Sequence, residues 1–490
     1  MISKETLEKY QMTVGIECHV QLATNTKLFS GADNDERDKS PNSVVSPIDF
    51  GLPGMLPVLN RGAIDLAIKA GKALNSPIAH ISRFDRKHYF YPDLPKGYQT
   101  TQMYQPIIGP GIVNIPLDNG ESFNVRINHA HMEEDAGKLT HHGSYSLVDL
   151  NRAGTPLLEI VTEPDIHSSA QAKAFVVELY RLMTYAEVTR GDLYHGNMRF
   201  DVNTSAALKG ANELGIRSEV KNLNSFRSVE RAIEFEFRRQ VELLEKGEAI
   251  VQETRGWDEA KQRTTSQRNK EDSQDYRYMP DADIPPIVLS DEEINHIQAT
   301  VPPLPPFYRE SWKSLKLDST VINALISSQS TAQFLQRILE KSGSASTARR
   351  VASWQLMAVE GQADDSGIVQ NTGIHATEDH LIELSEMVEK NELSSTAAKE
   401  IFYEMNRRPN IAPRDIANEK NLIQVSDETE VTKVVDAVLN EPSFEKAVAD
   451  LKHGNMKVIG FLVGQVMKKS QGKANPELAQ KLIKERLKIV

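Results

Sequence analysis

Cysteine and long apolar runs are what this chain lacks most. Cys18 is its only cysteine, which excludes an internal disulfide and a cysteine-based zinc cluster. No apolar stretch reaches the roughly 18 residues a membrane-spanning helix needs. The N-terminus, Met1-Ile2-Ser3-Lys4-Glu5, lacks the basic-then-apolar layout of a secretory signal, so a cytoplasmic enzyme is expected. No Gly-x-x-x-x-Gly-Lys-Ser/Thr loop is present, which excludes P-loop binding of ATP. A Ser-Lys amidase signature and a cysteine nucleophile suited to glutamine hydrolysis are also missing, which argues against an amide-hydrolysing site. Net positive charge is absent too: the formal value of -11 argues against a protein that coats nucleic acid nonspecifically. That average conceals a basic end. From Lys452 to Val490, nine basic residues (Lys452, Lys457, Lys468, Lys469, Lys473, Lys481, Lys484, Arg486 and Lys488) face Glu477 and Glu485, a local charge of +7.

The 490 residues, 39% of them hydrophobic, suffice for about three domains. Up to about residue 285 the apolar pattern is short and alternating, broken by turns such as Gly51-Leu52-Pro53-Gly54, and reads as strands. Two helices interrupt it. Phe226, Val229, Ile233, Phe237, Val241 and Leu244 recur at three- and four-residue steps, with Asn224 or Ser225 to cap the start and Gly247 near the stop; a second helix covers Ser168 to Tyr185. This mixture predicts an α+β domain on an antiparallel sheet over residues 1–295. The run Val301-Pro302-Pro303-Leu304-Pro305-Pro306 continues neither element and marks a boundary. Beyond it the pattern is helical: a small domain over 296–341, a link at Ser342-Gly343-Ser344-Ala345-Ser346, and a tail domain over 342–490. In the tail, Met456, Ile459, Val463, Val466 and Met467 form one apolar stripe, which reads as helical core, and Gly460 and Gly464 are spaced for close helix approach.

The chemistry concentrates in two carboxylate-rich stretches, Gly15-Ile16-Glu17-Cys18-His19-Val20-Gln21-Leu22 and His131-Met132-Glu133-Glu134-Asp135-Ala136-Gly137-Lys138. In the first, Val14, Ile16, Val20 and Leu22 alternate with Glu17, His19 and Gln21, the period of a half-buried strand. Glu17 and His19 therefore share a face, where a divalent cation would suit them, and Glu133, Glu134 and Asp135 offer further oxygens. Cys18 has the opposite parity and reads as a small core residue. Glu159 with Glu163, Arg199 with Asp201 and Asn203, and Arg217 with Glu219 and Lys221 repeat the design on other strands. Two readings stand for each such strand: a wetted sheet face, or one wall of a cradle for a metal and a polyanion. Their conjunction favours the cradle. Likewise Glu133-Glu134-Asp135 is either an acidic turn or a ligand set, and His88-Tyr89-Phe90-Tyr91-Pro92 either packs or stacks on a base.

At these residues the chain resembles the B-subunit family of the aspartyl/glutamyl-tRNA amidotransferases. The resemblance runs through the two stretches above, Tyr89-Phe90-Tyr91-Pro92-Asp93-Leu94-Pro95-Lys96, Asn151-Arg152-Ala153-Gly154-Thr155-Pro156-Leu157-Leu158-Glu159, Lys221-Asn222-Leu223-Asn224-Ser225-Phe226, Asp275-Tyr276-Arg277-Tyr278-Met279-Pro280-Asp281 and Gly460-Phe461-Leu462-Val463-Gly464-Gln465-Val466-Met467. It implies a glutamine-synthetase-like cradle, a helical domain and a tail that contacts tRNA. It implies ATP and Mg2+ as cofactors, the amidase A-subunit and the small C-subunit of the same enzyme as partners, and misacylated Glu-tRNA or Asp-tRNA as substrate. Some relatives carry a four-cysteine zinc site near the first strand; this chain lacks those cysteines, so no zinc is expected. Carried over by position, Glu17, His19, Glu134 and Glu159 are expected to serve magnesium and phosphoryl chemistry, with Glu133 and Asp135 behind them. Asp201, Asn203, Glu219, Lys221 and Asn222 would complete the nucleotide shell, and Lys87 and Lys96 would line an ammonia route. A noncatalytic tRNA-binding scaffold is the alternative of another class. It predicts fewer acids, because unneutralised carboxylates repel tRNA phosphates. A free-standing ATP-dependent ligase acting on a small amino acid is the other; the basic helical tail argues against it.

Overall fold

A computed structural model describes residues 3–269, 275–359, 373–424, 428–470 and 474–489. Its contacts divide it into a first unit ending at Glu310 and a second beginning at Ser311. Among the described residues, no helix is long and apolar enough to cross a membrane.

The first unit is built on an eight-stranded sheet. Its strands are β1 (Tyr10–Gln21), β4 (Gly111–Pro116), β5 (Ser122–Glu134), β6 (Pro156–Thr162), β7 (Met198–Leu208), β8 (Ser218–Leu223), β9 (Glu253–Asp258) and β10 (Arg263–Asn269), in the spatial order β10-β9-β8-β7-β1-β6-β5-β4. A smaller sheet joins β2 (Asp85–His88), β3 (Tyr98–Thr101) and β11 (Met279–Pro280). The large sheet is antiparallel except between β8 and β9, which run parallel. The expected antiparallel sheet is therefore mixed at that one pairing. The cause is the helix α2 (Phe226–Glu245), which lies in sequence between the two strands and returns the chain in the same direction, as a βαβ crossover does.

Serine caps start both long helices. The Ser225 side chain accepts from the Ser228 N–H, and in α1 (Ser169–Tyr185) Ser168 accepts from Gln171 N–H, satisfying donors a helix start leaves free. Gly247, at φ +74°, follows α2. The apolar stripe of α2 packs on the sheet, where Phe226 meets Phe200 of β7 and Tyr180 of α1 edge-on. On that side Val14, Ile16, Cys18 and Val20 of β1 are buried, each large aliphatic side chain contributing roughly 1.5–3 kcal/mol. Helices thus seal one face of the sheet. The polar side chains of β1 are left on the other.

The loop after β1 is pinned from within. Lys27 Nζ lies 3.3 Å from Asp49 Oδ2, both side chains buried, and Asp49 also accepts from the Ser30 hydroxyl and the Ser46 N–H. Gly154, at φ +83°, closes over this pair; a Cβ there would come 2.7 Å from Asp49 Oδ1.

The second unit is helical. The segment read as an interdomain link is a tight turn between α3 (Gln329–Ser342) and α4 (Ala345–Val359), with Gly343 at φ +60°. It lies inside this unit, whose boundary with the first is at Glu310/Ser311. Nearer the end, α5 (Glu428–Leu439), α6 (Ile459–Lys469) and α7 (Pro476–Leu487) enclose Val431, Val435, Val438, Leu462, Val466, Leu482 and Ile483. The stripe on α6 is therefore centred on Leu462 and Val466, with Met456 40% exposed. Among the described residues, Gly460 and Gly464 face open space, not a neighbouring helix. Lys473 and Val490 of the basic end lie outside the described residues.

Candidate active site

Strand register builds the site. His19 on β1 stands opposite Arg199 of β7 on one side and Glu159 of β6 on the other, and Glu159 stands opposite His131 of β5. Arg199, His19, Glu159 and His131 thus lie abreast across four strands, on the face turned away from the helices. Neighbouring strands are about 4.8 Å apart, close enough for such side chains to meet. Glu133, two residues beyond His131 on β5, joins them.

His19 Nε2 lies 3.5 Å from Glu133 Oε1 and 3.5 Å from Glu159 Oε2. One ligand atom from each of His19, Glu133 and Glu159 lies within 4.8 Å of the others. Two carboxylates and an imidazole at this separation fit one divalent cation, drawn slightly inward. His131 Nε2 sits behind them, 3.3 Å from Glu159 Oε2 and 3.8 Å from Glu133 Oε2, its ring stacked on His129. Burial works against its charged form, but the two carboxylates outweigh it and raise His131 to about 9. Glu159 responds in the opposite sense: burial opposes its charge, yet His131, His19 and Lys87 hold it well below the usual carboxylate range.

One row along, Glu17 stands opposite Asp201 and accepts from Asn203 Nδ2 at 3.0 Å. Burial and the charges of Glu159, Glu219 and Asp201 raise its pKa. Lys221 Nζ bridges Asp201 at 2.8 Å and Glu219 at 2.9 Å, and Thr254 donates to Glu219. Although burial disfavours its charge, these two acids raise Lys221 well above an ordinary lysine. The side chain of Asn222 lies outside the described residues. His19, Glu133, Glu159, Arg199, Asp201 and Lys221 all border one open cleft of about 320 Å³, as do Lys87, Tyr89 and Asp135.

Two expected residues are elsewhere. Glu134 has the opposite parity from Glu133 and is turned away from the cluster: it pairs with Lys96 and accepts from Thr100 N–H at 2.9 Å. The expectation that Glu134 joins His19 is therefore corrected, and Glu133 takes its place. Lys96, occupied by Glu134, does not border the cleft either. Glu17 is on the expected face but belongs to the second row, outside the three-ligand set. Asp135 is also outside that set; it ties Arg199 at 2.8 Å and Arg152 at 3.4 Å. His131 was missing from the expected ligand set, and Arg199, named on its strand, was given no individual role. Period-two parity carried along the second stretch as far as Glu134 would have selected His131 and Glu133 together.

Known proteins share this geometry's sequence. Residues 12–295 match the model of the GatB/GatE catalytic domain, and residues 324–487 match that of the GatB domain. The aspartyl/glutamyl-tRNA(Asn/Gln) amidotransferase B-subunit of Persephonella marina is 43% identical over 482 residues, 98% of this chain and 100% of the relative. The chain belongs to this B-subunit family. Members from Caldanaerobacter subterraneus and Thermotoga maritima are each 41% identical, over 484 and 486 residues, covering 98% of this chain and 99% of theirs. The first family match spans every strand of the large sheet except the first two residues of β1, and so contains every residue of the cleft.

Proposed function

We propose that this chain is the phosphorylating and amidating subunit of a tRNA-dependent amidotransferase. The row of Arg199, His19, Glu159 and His131, with Glu133 beside it, carries this reading. The substrate is glutamate or aspartate esterified to a noncognate tRNA, Glu-tRNA(Gln) or Asp-tRNA(Asn). Its ionised side-chain carboxylate resists nucleophiles and must first be activated. A carboxylate oxygen attacks the ATP γ-phosphorus, ADP leaves, and an acyl phosphate remains. Ammonia then adds to the acyl carbon, inorganic phosphate leaves, and the nitrogen loses a proton to give the amide. The same sequence of bonds serves glutamine synthesis from free glutamate, which fits a glutamine-synthetase-like cradle.

His19, Glu133 and Glu159 would hold Mg2+, which when bound supplies positive charge against the phosphate oxygens. His131 keeps the two carboxylates apart and oriented. Asp201, Asn203, Glu219 and Lys221, with Glu17 among them, form the polar shell for the nucleotide. Positioning dominates such a transfer, since the phosphoryl group needs little covalent help once its oxygens are aligned. Ammonia comes from a partner amidase, with a small third protein completing a cytoplasmic heterotrimer, and the basic helical end holds the tRNA. The test is ADP formation by the chain with its partners, supplied with ATP and each misacylated tRNA. ADP formed only when misacylated tRNA is present supports the reading; ADP formed equally without it, or never, rejects it.

A further inference from the structure

Lys87 has surroundings that an ammonia route does not explain. It projects from β2 into the cleft that holds His19, Glu133, Glu159 and Arg199. Its ammonium lies 4.9 Å from the ring centre of Tyr276 and 5.8 Å from that of Tyr89. Among the described residues its side chain makes no direct ion pair or hydrogen bond; Glu133 and Glu159 act on it only through space. The ring of Tyr276 is placed by pairing of its segment with β2, where His88 N–H donates to the Tyr276 carbonyl and Met279 registers with Arg86. The motif Asp275-Tyr276-Arg277-Tyr278 thus acquires a use: it walls a lysine. Aromatic faces hold a cation while leaving its N–H donors unspent.

Across the cleft, Arg199 is similarly half-committed. Nη2 donates to Asp135 at 2.8 Å, and among the described residues its Nε and Nη1 have no partner; the side chain is 34% exposed. Two cations with free donors thus border the cleft that contains the candidate metal ligands. An anion with several oxygens completes that arrangement, and a neutral ammonia molecule does not.

We propose that Lys87 and Arg199 clamp the phosphoryl group in transit, each donating to its oxygens while the carboxylate attacks and ADP departs. The inference rests on the reaction proposed above. Lys87 then belongs to the phosphoryl step and not to the path of ammonia.

The test uses the complete enzyme with misacylated tRNA and ATP, comparing wild type, Lys87→Met, Lys87→Arg and Arg199→Met. ADP formation is measured alone, and amide formation is measured with glutamine and with a high concentration of ammonium chloride. Lys87→Met and Arg199→Met are expected to slow ADP formation by about 100-fold, as loss of a preorganised charge does, with ammonium giving no rescue. Lys87→Arg, which keeps the charge but not the shape of the ammonium, should lose clearly less than Lys87→Met. Lys87→Met that makes ADP normally, loses amidation with glutamine and regains it with ammonium would overturn the clamp and return Lys87 to the ammonia route. Should Lys87→Met fail to fold, Lys87→Arg and Arg199→Met decide: loss in the first equal to loss in the second, or no loss in the second, overturns it. A wild-type enzyme that forms no ADP overturns the underlying reaction itself, an outcome separate from the others.

Discussion

Glu133→Gln and Glu134→Gln change neighbouring residues of β5 that face opposite ways, and their effects should separate cleanly. Glu133 is 3% exposed and supplies one of the two carboxylates in the three-ligand set. Glutamine keeps its shape and removes its charge. Loss of one preorganised charge at a phosphoryl centre costs about 10²–10³-fold in rate, or about 3–4 kcal/mol of transition-state stabilisation. Folding should change little, because His131 retains Glu159 at 3.3 Å. Glu134 is 4% exposed, and the side chain of its partner Lys96 is 13% exposed. Neutralising it leaves a largely buried ammonium without a counter-charge, at about 3–5 kcal/mol of stability, or roughly 5–8 °C in the unfolding temperature of the first unit. The assay pairs ADP formation on misacylated tRNA at saturating Mg2+ with thermal unfolding of each variant. A folded Glu134→Gln that loses phosphorylation, beside a Glu133→Gln that keeps the wild-type rate, would show that strand parity does not select the ligand.

Other predictions address the metal, the buried pairs and the tail. An imidazole ligand favours manganese over magnesium, so Mn2+ should half-saturate ADP formation at a lower concentration than Mg2+, and His19→Ala should narrow the gap; an unchanged gap removes His19 from the ligand set. Glu178, buried in α1, takes a bidentate grip from Arg309, both contacts at 2.6 Å, and although burial raises its pKa, Arg309 and Arg181 bring it below the ordinary value. Its stabilisation is therefore present above the unfolded carboxylate pKa of about 4.3 and disappears as pH falls through the lower folded value. Glu178→Gln should cost about 3–5 kcal/mol at neutral pH, and denaturant titrations should show the difference from wild type shrinking in acid. Lys27→Met should destabilise by a similar amount, with Lys27→Met/Asp49→Leu regaining much of it; a double variant no better than the single would contradict a charge-driven loss. Deleting residues 428–490 should weaken tRNA binding and flatten its dependence on salt, and an unaltered slope would rule the basic end out as the phosphate contact.

Local rules carried far where one physical signal acted alone. Serine caps and a three-to-four step located α1 and α2 to within a residue, since burial of one stripe and a satisfied helix start are both written in short stretches. The alternation of β1 gave its sealed and open faces, and Cys18 lies on the sealed one. The parallel pairing of β8 with β9 was hidden because strand partners are chosen by tertiary packing of α2, not by either strand's pattern. The choice of Glu134 over Glu133 was carried over from the resemblance, without the period of two being applied to Glu133-Glu134-Asp135; β5 runs through Glu134, so parity decides there. Gly460 and Gly464 suggested close helix contact, but a small residue permits approach without causing it. The walls of Tyr89 and Tyr276 around Lys87 join residues 189 positions apart, a proximity that no local pattern encodes.

Anomalous diffraction from crystals of the chain with its partners, grown with Mn2+ and a nonhydrolysable ATP analogue, would locate the cation outright. A manganese peak bound by His19 Nε2, Glu133 and Glu159 is expected, with the terminal phosphate reaching Lys87 and Arg199. A single peak among Glu17, Asp201 and Glu219, with His19 left unliganded, would refute the three-ligand site.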